Sequence, residues 1–374
     1  MSRSPKTGKK EKKQTKYFDY TLLFIIIFLV GFGLVMLYST SSYNAQLKFK
    51  GDSAFYLRKQ LSASLLGFLG MFVMANINYH VWMKLSGLLY IAAMGLCTAV
   101  IFMGTNLNGS TRWLKIGPLS FQPSEIAKMA MILFLATVIN KIPKKMGNFL
   151  TVIKIMVIVL PVVGVVGISN LSTAIIILGI AICLIFVSSP KYLQFFVMGG
   201  LVVAFGIVFI TFESYREERI QAWLNPEAFE NGYQTLQGLY AIGSGGLFGK
   251  GLGESMQKLG FLPEAQNDMI FSIICEELGL FGAVCVILLF LLLIWRFLVI
   301  ANNAPDLFGA LIVVGIMAHI AIQVILNIAV VTNTIPNTGV TLPFISYGGT
   351  SVAILLTEMG LALSVSRGIK LEKV

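Results

Sequence analysis

Long apolar segments recur along the whole chain, and they constrain its fold more than any other feature. Each is close to the roughly 20 residues that a helix needs to cross a bilayer. Hydrophobic residues make up 56% of the 374 residues, more than is usual in a soluble domain. We therefore predict an all-α polytopic integral membrane protein with ten transmembrane helices. The predicted spans are Thr21–Leu37, Leu57–Ala75, Leu85–Met103, Gln122–Ile139, Thr151–Gly167, Leu171–Val187, Tyr192–Phe212, Met269–Ile300, Leu307–Val331 and Tyr347–Val365.

The positions of Lys and Arg predict how the chain is oriented. Cytoplasmic segments are enriched in these residues, and the N-terminal segment is strongly basic. We expect both termini to be cytoplasmic. The predicted parts are a cytoplasmic basic tail (1–19), a single ten-helix membrane domain (20–366) and a cytoplasmic tail (367–374). A large extracytoplasmic loop, about 213–268, separates the seventh and eighth helices.

Charge and cysteine content exclude two common functions. The net charge of +11 does not indicate nucleic-acid binding, because lysine clusters beside a span commonly contact anionic membrane lipid. All four cysteines fall in apolar segments, and only His80 and His319 add imidazole groups. No dedicated metal site is predicted.

The first of three polar segments on the predicted outer face contains residues 108–136. A turn bracketed by glycines is expected to present Arg112, Trp113 and Lys115 at the membrane surface. In the helix that follows, Glu125 and Lys128 lie three residues apart on one face. Ionisable groups at membrane depth are costly and indicate function, but mutual neutralisation inside the bundle is an equal alternative.

The long predicted loop is the second polar segment. Its first part is typical of a short helix lying in the membrane interface. Its second part is rich in glycine around Lys250, but it lacks the spacing of a phosphate-binding P-loop. Two structures remain equally open: a tight loop packed on helix ends, or backbone amides that approach an anionic ligand.

The third polar segment, 333–351, links the last two predicted spans. Its prolines and glycines indicate a rigid, non-helical connection. Hydroxyls such as those of Thr338 and Ser346 suit sugar or phosphate oxygens, and equally suit capping of the next helix. Three polar segments meeting at the outer leaflet favour a lipid-linked polar substrate.

Four carboxylates surround the start of the eighth predicted span: Glu264, Asp268, Glu276 and Glu277. From the residues alone, Asp268 is most simply an N-cap of that helix. Glu276 and Glu277 lie about 12–13.5 Å further along it. We expect them to be buried packing or hydrogen-bonding groups, with neutral carboxyls as one alternative, and Glu264 to shape the loop.

Three blocks of the sequence resemble the signatures of the SEDS family (shape, elongation, division and sporulation). They are NGSTRWLKIGPLSFQPSEIAK, QGLYAIGSGGLFGKGLGESMQKLGFLPEAQND and IPNTGVTLPFISYGGTS, in the order that the family has them. The second block is closest to the FtsW and SpoVE branch of the FtsW/RodA/SpoVE proteins. The resemblance, with its ten-span layout, covers nearly the whole chain.

The resemblance implies a peptidoglycan glycosyltransferase of the bacterial cytoplasmic (inner) membrane. Such enzymes polymerise lipid II and release undecaprenyl pyrophosphate. Their partner is a class B penicillin-binding protein transpeptidase, alongside other division proteins. The family's essential carboxylate matches Asp268, its functional tryptophan matches Trp113, and its intramembrane pair matches Glu125 and Lys128.

On this basis we expect Asp268 to be the general base that activates the attacking hydroxyl. Arg112 and Lys128 are expected to bind the pyrophosphate, with Glu125 orienting Lys128. No cofactor is evident, although a divalent cation (Mg or Mn) is an alternative source of positive charge. The remaining predicted substrate-binding residues are Trp113, Lys115, Lys250, Glu264, Thr338 and Ser346.

Two other functions stay open at this point. A lipid II flippase would be expected to place polar groups near the membrane midplane and to show repeated halves. Deep carboxylates such as Glu358 fit the first expectation, but no internal repeat is evident. A non-catalytic scaffold for the penicillin-binding protein would not require Asp268, Arg112 and Lys128 together.

Overall fold

The computed structural model describes residues 17–107, 110–116, 119–191, 195, 199–200 and 220–370. Most of these residues are helical. The helices are α1 (Tyr20–Lys48), α2 (Phe55–Asn76), α3 (His80–Met103), α4 (Pro123–Lys141), α5 (Phe149–Ser169), α6 (Leu171–Ser188), α7 (Tyr233–Ser244), α8 (Ile270–Asn302), α9 (Leu307–Val331) and α10 (Gly349–Ser366), with short 3-10 turns at Pro143–Lys145 and Glu230–Gly232. The strands are β1 (Thr105–Leu107), β2 (Ser110–Ile116) and β3 (Leu119–Phe121).

Within this part of the chain, eight helices are long and apolar enough to cross a membrane: α1, α3, α4, α5, α6, α8, α9 and α10. They coincide with eight of the ten predicted spans. Helix α2 covers a ninth, but it begins with charged residues and is less apolar. The predicted span Tyr192–Phe212 lies largely outside the described residues. The protein is a multi-pass membrane protein.

Helices α4, α9 and α10 form the centre of the bundle. At least 67% of the most apolar stretch of each is buried against neighbouring helices, compared with 22% for α3. Because lipid can replace water around the outer helices, their exposed apolar side chains are expected rather than anomalous. Polar side chains of the three central helices such as Lys128, Asn327 and Glu358 therefore lie inside the protein rather than against lipid.

At one end of the bundle, which we call the first end, the beginning of α1 lies close to the end of α10. The backbone N–H of Asp19 donates to the hydroxyl of Ser366 at 3.4 Å, and Asp19 also pairs with Arg296 of α8. At the same end, Tyr79 donates to Asp306. Burial, followed by this hydrogen bond, raises the pKa of the Tyr79 hydroxyl.

The polar segments lie at the opposite end of the bundle, which we call the second end. The indole N–H of Trp223 donates to the carbonyl of Asn333 at 2.9 Å. The N–H of Tyr347 donates to the carbonyl of Gln266, also at 2.9 Å. These hydrogen bonds join the long loop to the segment between α9 and α10, so segments far apart in sequence meet here.

One prediction about this end needs correction, and a second is tested only in part. The described residues between Thr105 and Phe121 do not form a simple turn: β1, β2 and β3 make a three-stranded antiparallel sheet in that order, so the fold is not wholly α. Of the predicted interfacial helix, residues 220–224 are helical and the preceding ones lie outside the described residues. Hydrogen bonding between strands, rather than a surface turn, therefore positions Arg112, Trp113 and Lys115.

Candidate functional site

Asp268 lies just before α8 at the second end, with its side chain only 8% exposed. The N-cap of α8 is Met269, and no side chain caps this helix, so N-capping does not describe the role of Asp268. The backbone carbonyl of Asp268 accepts a hydrogen bond from Asn327 Nδ2 at 2.8 Å. One carboxylate oxygen, Oδ1, lies 3.4 Å from Gln234 Nε2. Asp268 is thus held by side chains of α7 and α9.

The side-chain amide of Gln234 has a defined orientation. Its Oε1 accepts a hydrogen bond from Asn337 Nδ2 at 2.8 Å, so its Nε2 faces Asp268. The segment that carries Asn337 also approaches the other carboxylate oxygen. Gly339 has a φ of +67°, and a Cβ placed on it would lie 3.7 Å from Asp268 Oδ2. The carboxylate of Asp268 therefore lies between α7 and the irregular backbone segment 337–341.

A second polar cluster is buried among α4, α9 and α10. Lys128 Nζ lies 2.8 Å from Glu125 Oε1, and it donates to Gln323 Oε1 at 3.2 Å. Ser351 donates to the other oxygen of Glu125 at 2.8 Å. Lys128 is only 1% exposed, and it is one of the largest fully buried side chains among the described residues. The structure pairs Glu125 with Lys128, but it also gives the ammonium group a second acceptor.

Helix α9 connects this cluster to Asp268. Gln323 contacts Lys128, while Asn327, one turn later and about 6 Å along the helix, contacts Asp268. The segment after α9 follows the same path, because Gln323 Nε2 donates to the Thr341 carbonyl and Asn327 Nδ2 donates to the Val340 carbonyl. Two sites that are 140 residues apart in sequence therefore lie on adjacent turns of one helix.

Arg112 extends from β2 towards the junction of α5 and α6. Its Nε donates to the Ser169 carbonyl at 3.1 Å. Three residues further on, Ser172 donates to the carbonyl of Thr338, next to the Gly339 that borders Asp268. Arg112 is thus connected to the Asp268 site through the start of α6. Trp113 is partly buried on β2, and Lys115 is exposed on the same strand.

Other predicted binding residues have local structural partners. The hydroxyl of Ser346 is buried and accepts the N–H of Leu342 at 2.8 Å, which closes a turn. Glu264 has a φ of +52° and accepts a hydrogen bond from Asn267 Nδ2. Thr338 Oγ1 is buried and has no hydrogen-bond partner among the described residues. Of these three groups, only Thr338 has a buried hydroxyl oxygen without such a partner.

Lys250 lies in a different environment from the one predicted. Its Nζ is 2.7 Å from Glu276 Oε1, and its own N–H donates to the Glu276 carbonyl at 2.9 Å. The next N–H, from Gly251, donates to the Glu277 carbonyl at 3.0 Å. The glycine-rich segment is therefore a tight loop packed on a helix, and these amides are occupied by protein carbonyls.

Glu277 has its own lysine. Lys258 Nζ lies 2.7 Å from Glu277 Oε1, and Ser39 of α1 donates to the same carboxylate at 2.7 Å. Both deep carboxyls are hydrogen-bonded, as expected, and each lies 2.7 Å from a lysine ammonium group. The ion pairs join the long loop to α8 and α1.

The eighth predicted span, Met269–Ile300, is present as α8, but it contains a break that the sequence analysis did not anticipate. Helix α8 breaks at Gly279, where φ is +66° and ψ is −167°. A Cβ on Gly279 would lie 2.3 Å from the backbone N of Gly249. The break allows the glycine-rich loop to approach the backbone of α8, so that Leu280 donates to the Gly246 carbonyl at 2.9 Å.

Sequence reasoning did not identify the residues that organise the site. On α9, His319, Gln323 and Asn327 are spaced by four residues, so they share one face of an apolar helix. That spacing could have marked a polar stripe. Gln234 and Asn337 carry no comparable signal, because their contacts depend on loops. Among the described residues, no group of three or more His, Cys, Asp or Glu side chains could hold a metal ion.

Comparison with known proteins identifies the family to which the chain belongs. The family model described as "Cell cycle protein", for FtsW, RodA and SpoVE, matches residues 20–371. Stage V sporulation protein E of Bacillus subtilis (strain 168) is 41% identical over 362 residues, covering 93% of this chain and 97% of that protein. A probable peptidoglycan glycosyltransferase FtsW of Geobacter sp. (strain M18) is 37% identical over 361 residues, covering 95% and 98%.

Solved structures show the same fold. A chain from a structure described as "Structural coordination of polymerization and crosslinking by a peptidoglycan synthase complex" gives a TM-score of 0.78 at 27% identity, covering 94% of this chain and 98% of that one. The rod shape determining protein RodA of Thermus thermophilus gives 0.68 at 28% identity, covering 95% and 98%. The chain belongs to the FtsW/RodA/SpoVE family of cell cycle proteins.

Proposed function

We propose that this protein is a peptidoglycan glycosyltransferase that polymerises lipid II, with Asp268 as the general base. The observation that carries this proposal is the position of Asp268. Its carboxylate is buried at the end of the bundle where the polar segments meet, and it does not cap the helix that follows. Curated relatives with 34–38% identity over most of the chain are named probable peptidoglycan glycosyltransferases.

The proposed reaction joins two lipid-linked glycans. The 4-hydroxyl of an N-acetylglucosamine attacks C1 of an N-acetylmuramic acid on a second molecule. The O–C1 bond forms as the bond from C1 to the pyrophosphate oxygen breaks, and the configuration at C1 inverts. Asp268 accepts the proton of the hydroxyl, which is otherwise a poor nucleophile. The hydrogen bond from Gln234 supports this role because it fixes one carboxylate oxygen and leaves the other beside Gly339.

The leaving group is undecaprenyl pyrophosphate, whose charge increases as the bond breaks. Lys128 supplies the positive charge in this proposal, since a buried ammonium group interacts more strongly than an exposed one. Glu125 and Gln323 take two of its three N–H donors and orient the third. Arg112 provides a further cation on the side of the site next to α6. A divalent cation (Mg or Mn) stays an alternative source of positive charge at the pyrophosphate, and no step is assigned to it.

The same proposal includes the topology and the location of the protein. Ten helices with both termini cytoplasmic agree with the contact between Asp19 and Ser366, since adjacent first and last helix ends require an even number of crossings. The second end then faces outwards from the bacterial inner membrane. Because the structural relative is described as a complex that polymerises and crosslinks, we expect a class B penicillin-binding protein as partner.

Purified protein with lipid II, with and without a class B penicillin-binding protein, tests the function. The wild type should produce glycan chains in detergent, where no two sides of a membrane exist and transport cannot be measured. Asp268→Ala and Asp268→Asn should lose about a hundredfold or more of this rate. A folded Asp268→Asn protein that works at the wild-type rate would contradict the role of Asp268, and a wild type without product would contradict the function.

A further inference from the structure

The polar cluster around Lys128 continues deeper into the bundle than the proposed reaction requires. His319 of α9 lies 3.0 Å from Gln323 Oε1 through Nε2, and 2.8 Å from Glu358 Oε2 of α10 through Nδ1. His319 and Glu358 are both 0% exposed. A buried pair of ionisable groups in a membrane protein is costly, and it indicates a function. Nothing in the proposed chemistry uses these two side chains directly.

The hydrogen bonds determine where the protons lie. Gln323 Nε2 donates to the Thr341 carbonyl at 3.0 Å, so Gln323 Oε1 faces His319 and Lys128 and can only accept. His319 Nε2 must therefore carry a proton. One more proton lies between His319 Nδ1 and Glu358 Oε2. Whether it is on nitrogen or oxygen, the pair has no net charge, which lowers the cost of burying it.

We propose that His319, held by Glu358, is a positioning residue for Lys128 and acts through the side-chain amide of Gln323. The inference rests on the proposed function, because it assigns a support to the cation that binds the leaving pyrophosphate. His319 and Lys128 donate to the same oxygen, Gln323 Oε1. With Thr341 accepting from the other end of the amide, His319 fixes the amide plane, so that Oε1 stays directed at the ammonium group.

The groups facing His319 are consistent with this role. Helix α4 contributes Glu125 and Lys128, which neutralise each other at 2.8 Å, and α10 contributes Glu358. Glu358 Oε1 is buried and has no hydrogen-bond partner among the described residues. An unsatisfied oxygen of this kind is less costly on a carboxyl whose charge is shared with a neighbouring proton than on an isolated carboxylate. The pair is therefore a neutral, rigid anchor rather than a second charge competing with Lys128.

The test compares polymerisation of lipid II by His319→Leu, His319→Gln and Lys128→Met proteins. His319→Leu removes the donor to Gln323, and we expect kcat to fall about tenfold with KM changed much less, because Lys128 acts on charge that develops during the reaction. His319→Gln keeps an N–H donor near the position of Nε2 and should recover most of the rate. In the double variant His319→Leu with Lys128→Met, the rate should equal that of Lys128→Met alone.

The partner residue provides a second comparison. Glu358→Gln can donate to His319 Nδ1 and should stay close to the wild-type rate, whereas Glu358→Leu should resemble His319→Leu. Thermal unfolding in detergent identifies variants that are merely unstable. The inference would be overturned if the rate losses of His319→Leu and Lys128→Met multiplied in the double variant. A folded His319→Leu protein with the wild-type kcat would overturn it as well. Either result would leave the proposed function intact. A wild type that makes no polymer would instead contradict the function, and this inference with it.

Discussion

The side-chain amide of Asn327 holds the backbone of Asp268. Asn327 Nδ2 donates to the Asp268 carbonyl at 2.8 Å and to the Val340 carbonyl at 2.7 Å. One buried amide therefore fixes the distance between the start of α8 and the segment that follows α9. In the proposed reaction, this distance determines how closely Gly339 borders the carboxylate of Asp268.

Replacing Asn327 with Leu should lower the rate of lipid II polymerisation by about a hundredfold, since small misplacements of a catalytic group have effects of that size. Two buried carbonyls would also lose their donor, at a cost of about 1–3 kcal/mol each in the free energy of unfolding. Thr332→Ala is the control, because this exposed hydroxyl at the end of α9 bonds only to its own helix and to Thr334. Equal rates for Asn327→Leu and wild type would contradict a positioning role.

Replacing Gln234 with Glu should change the pH dependence of the reaction. The new carboxylate would lie where Nε2 now sits, 3.4 Å from Asp268 Oδ1. A like charge disfavours ionisation of Asp268 and raises its pKa, so the general base is available only at higher pH. The acidic limb of the kcat/KM profile should move up by roughly one pH unit or more. Gln46→Glu, at an exposed position of α1, adds the same charge on another helix and should leave the profile unchanged; a shift in both variants would indicate a general charge effect.

Substitutions in the Glu125–Lys128 pair should affect the stability of the protein and its activity differently. Lys128→Met leaves a buried carboxylate without its cation, which costs about 3–5 kcal/mol in the free energy of unfolding. Combining it with Glu125→Gln restores neutrality and should recover most of the thermal stability. The rate of polymerisation should stay at least about a hundredfold low in both proteins, because the leaving group has lost its cation. Recovery of the rate in the double variant would mean that the pair is only structural.

Gly279→Ala should destabilise the protein by several kcal/mol or prevent its accumulation. The φ of +66° with ψ of −167° is essentially restricted to glycine, and the new Cβ would overlap the Gly249 backbone. Gly87→Ala in α3 is the matched control, since no atom lies within 4 Å of its Cβ position. Thermal unfolding and yield in detergent provide the measurement. Similar behaviour of the two variants would show that the break in α8 does not need glycine.

The structure of the glycine-rich segment around Lys250 could not be predicted from the local sequence. The sequence left two structures open, and the amides of Lys250 and Gly251 prove to donate to carbonyls of α8. The same contact explains how Glu276 can be buried, because Lys250 of this loop forms an ion pair with it. Helix geometry, at 100° per residue, indicates only that Glu276 and Glu277 point in different directions. It could not show which lysine lies opposite each of them, because both lysines come from a loop.

The sequence by itself determined the membrane-spanning character, the helices that carry it and the membership of the family. Each spanning helix satisfies its own backbone hydrogen bonds, so a local run of apolar residues is enough to specify it. The Glu125–Lys128 pair was also predictable, since two residues spaced three apart on a helix lie on the same face. Only the tertiary structure placed Asn327 against Asp268, and His319 and Gln323 against Lys128. Those contacts join different helices, and they depend on packing that no local periodicity encodes.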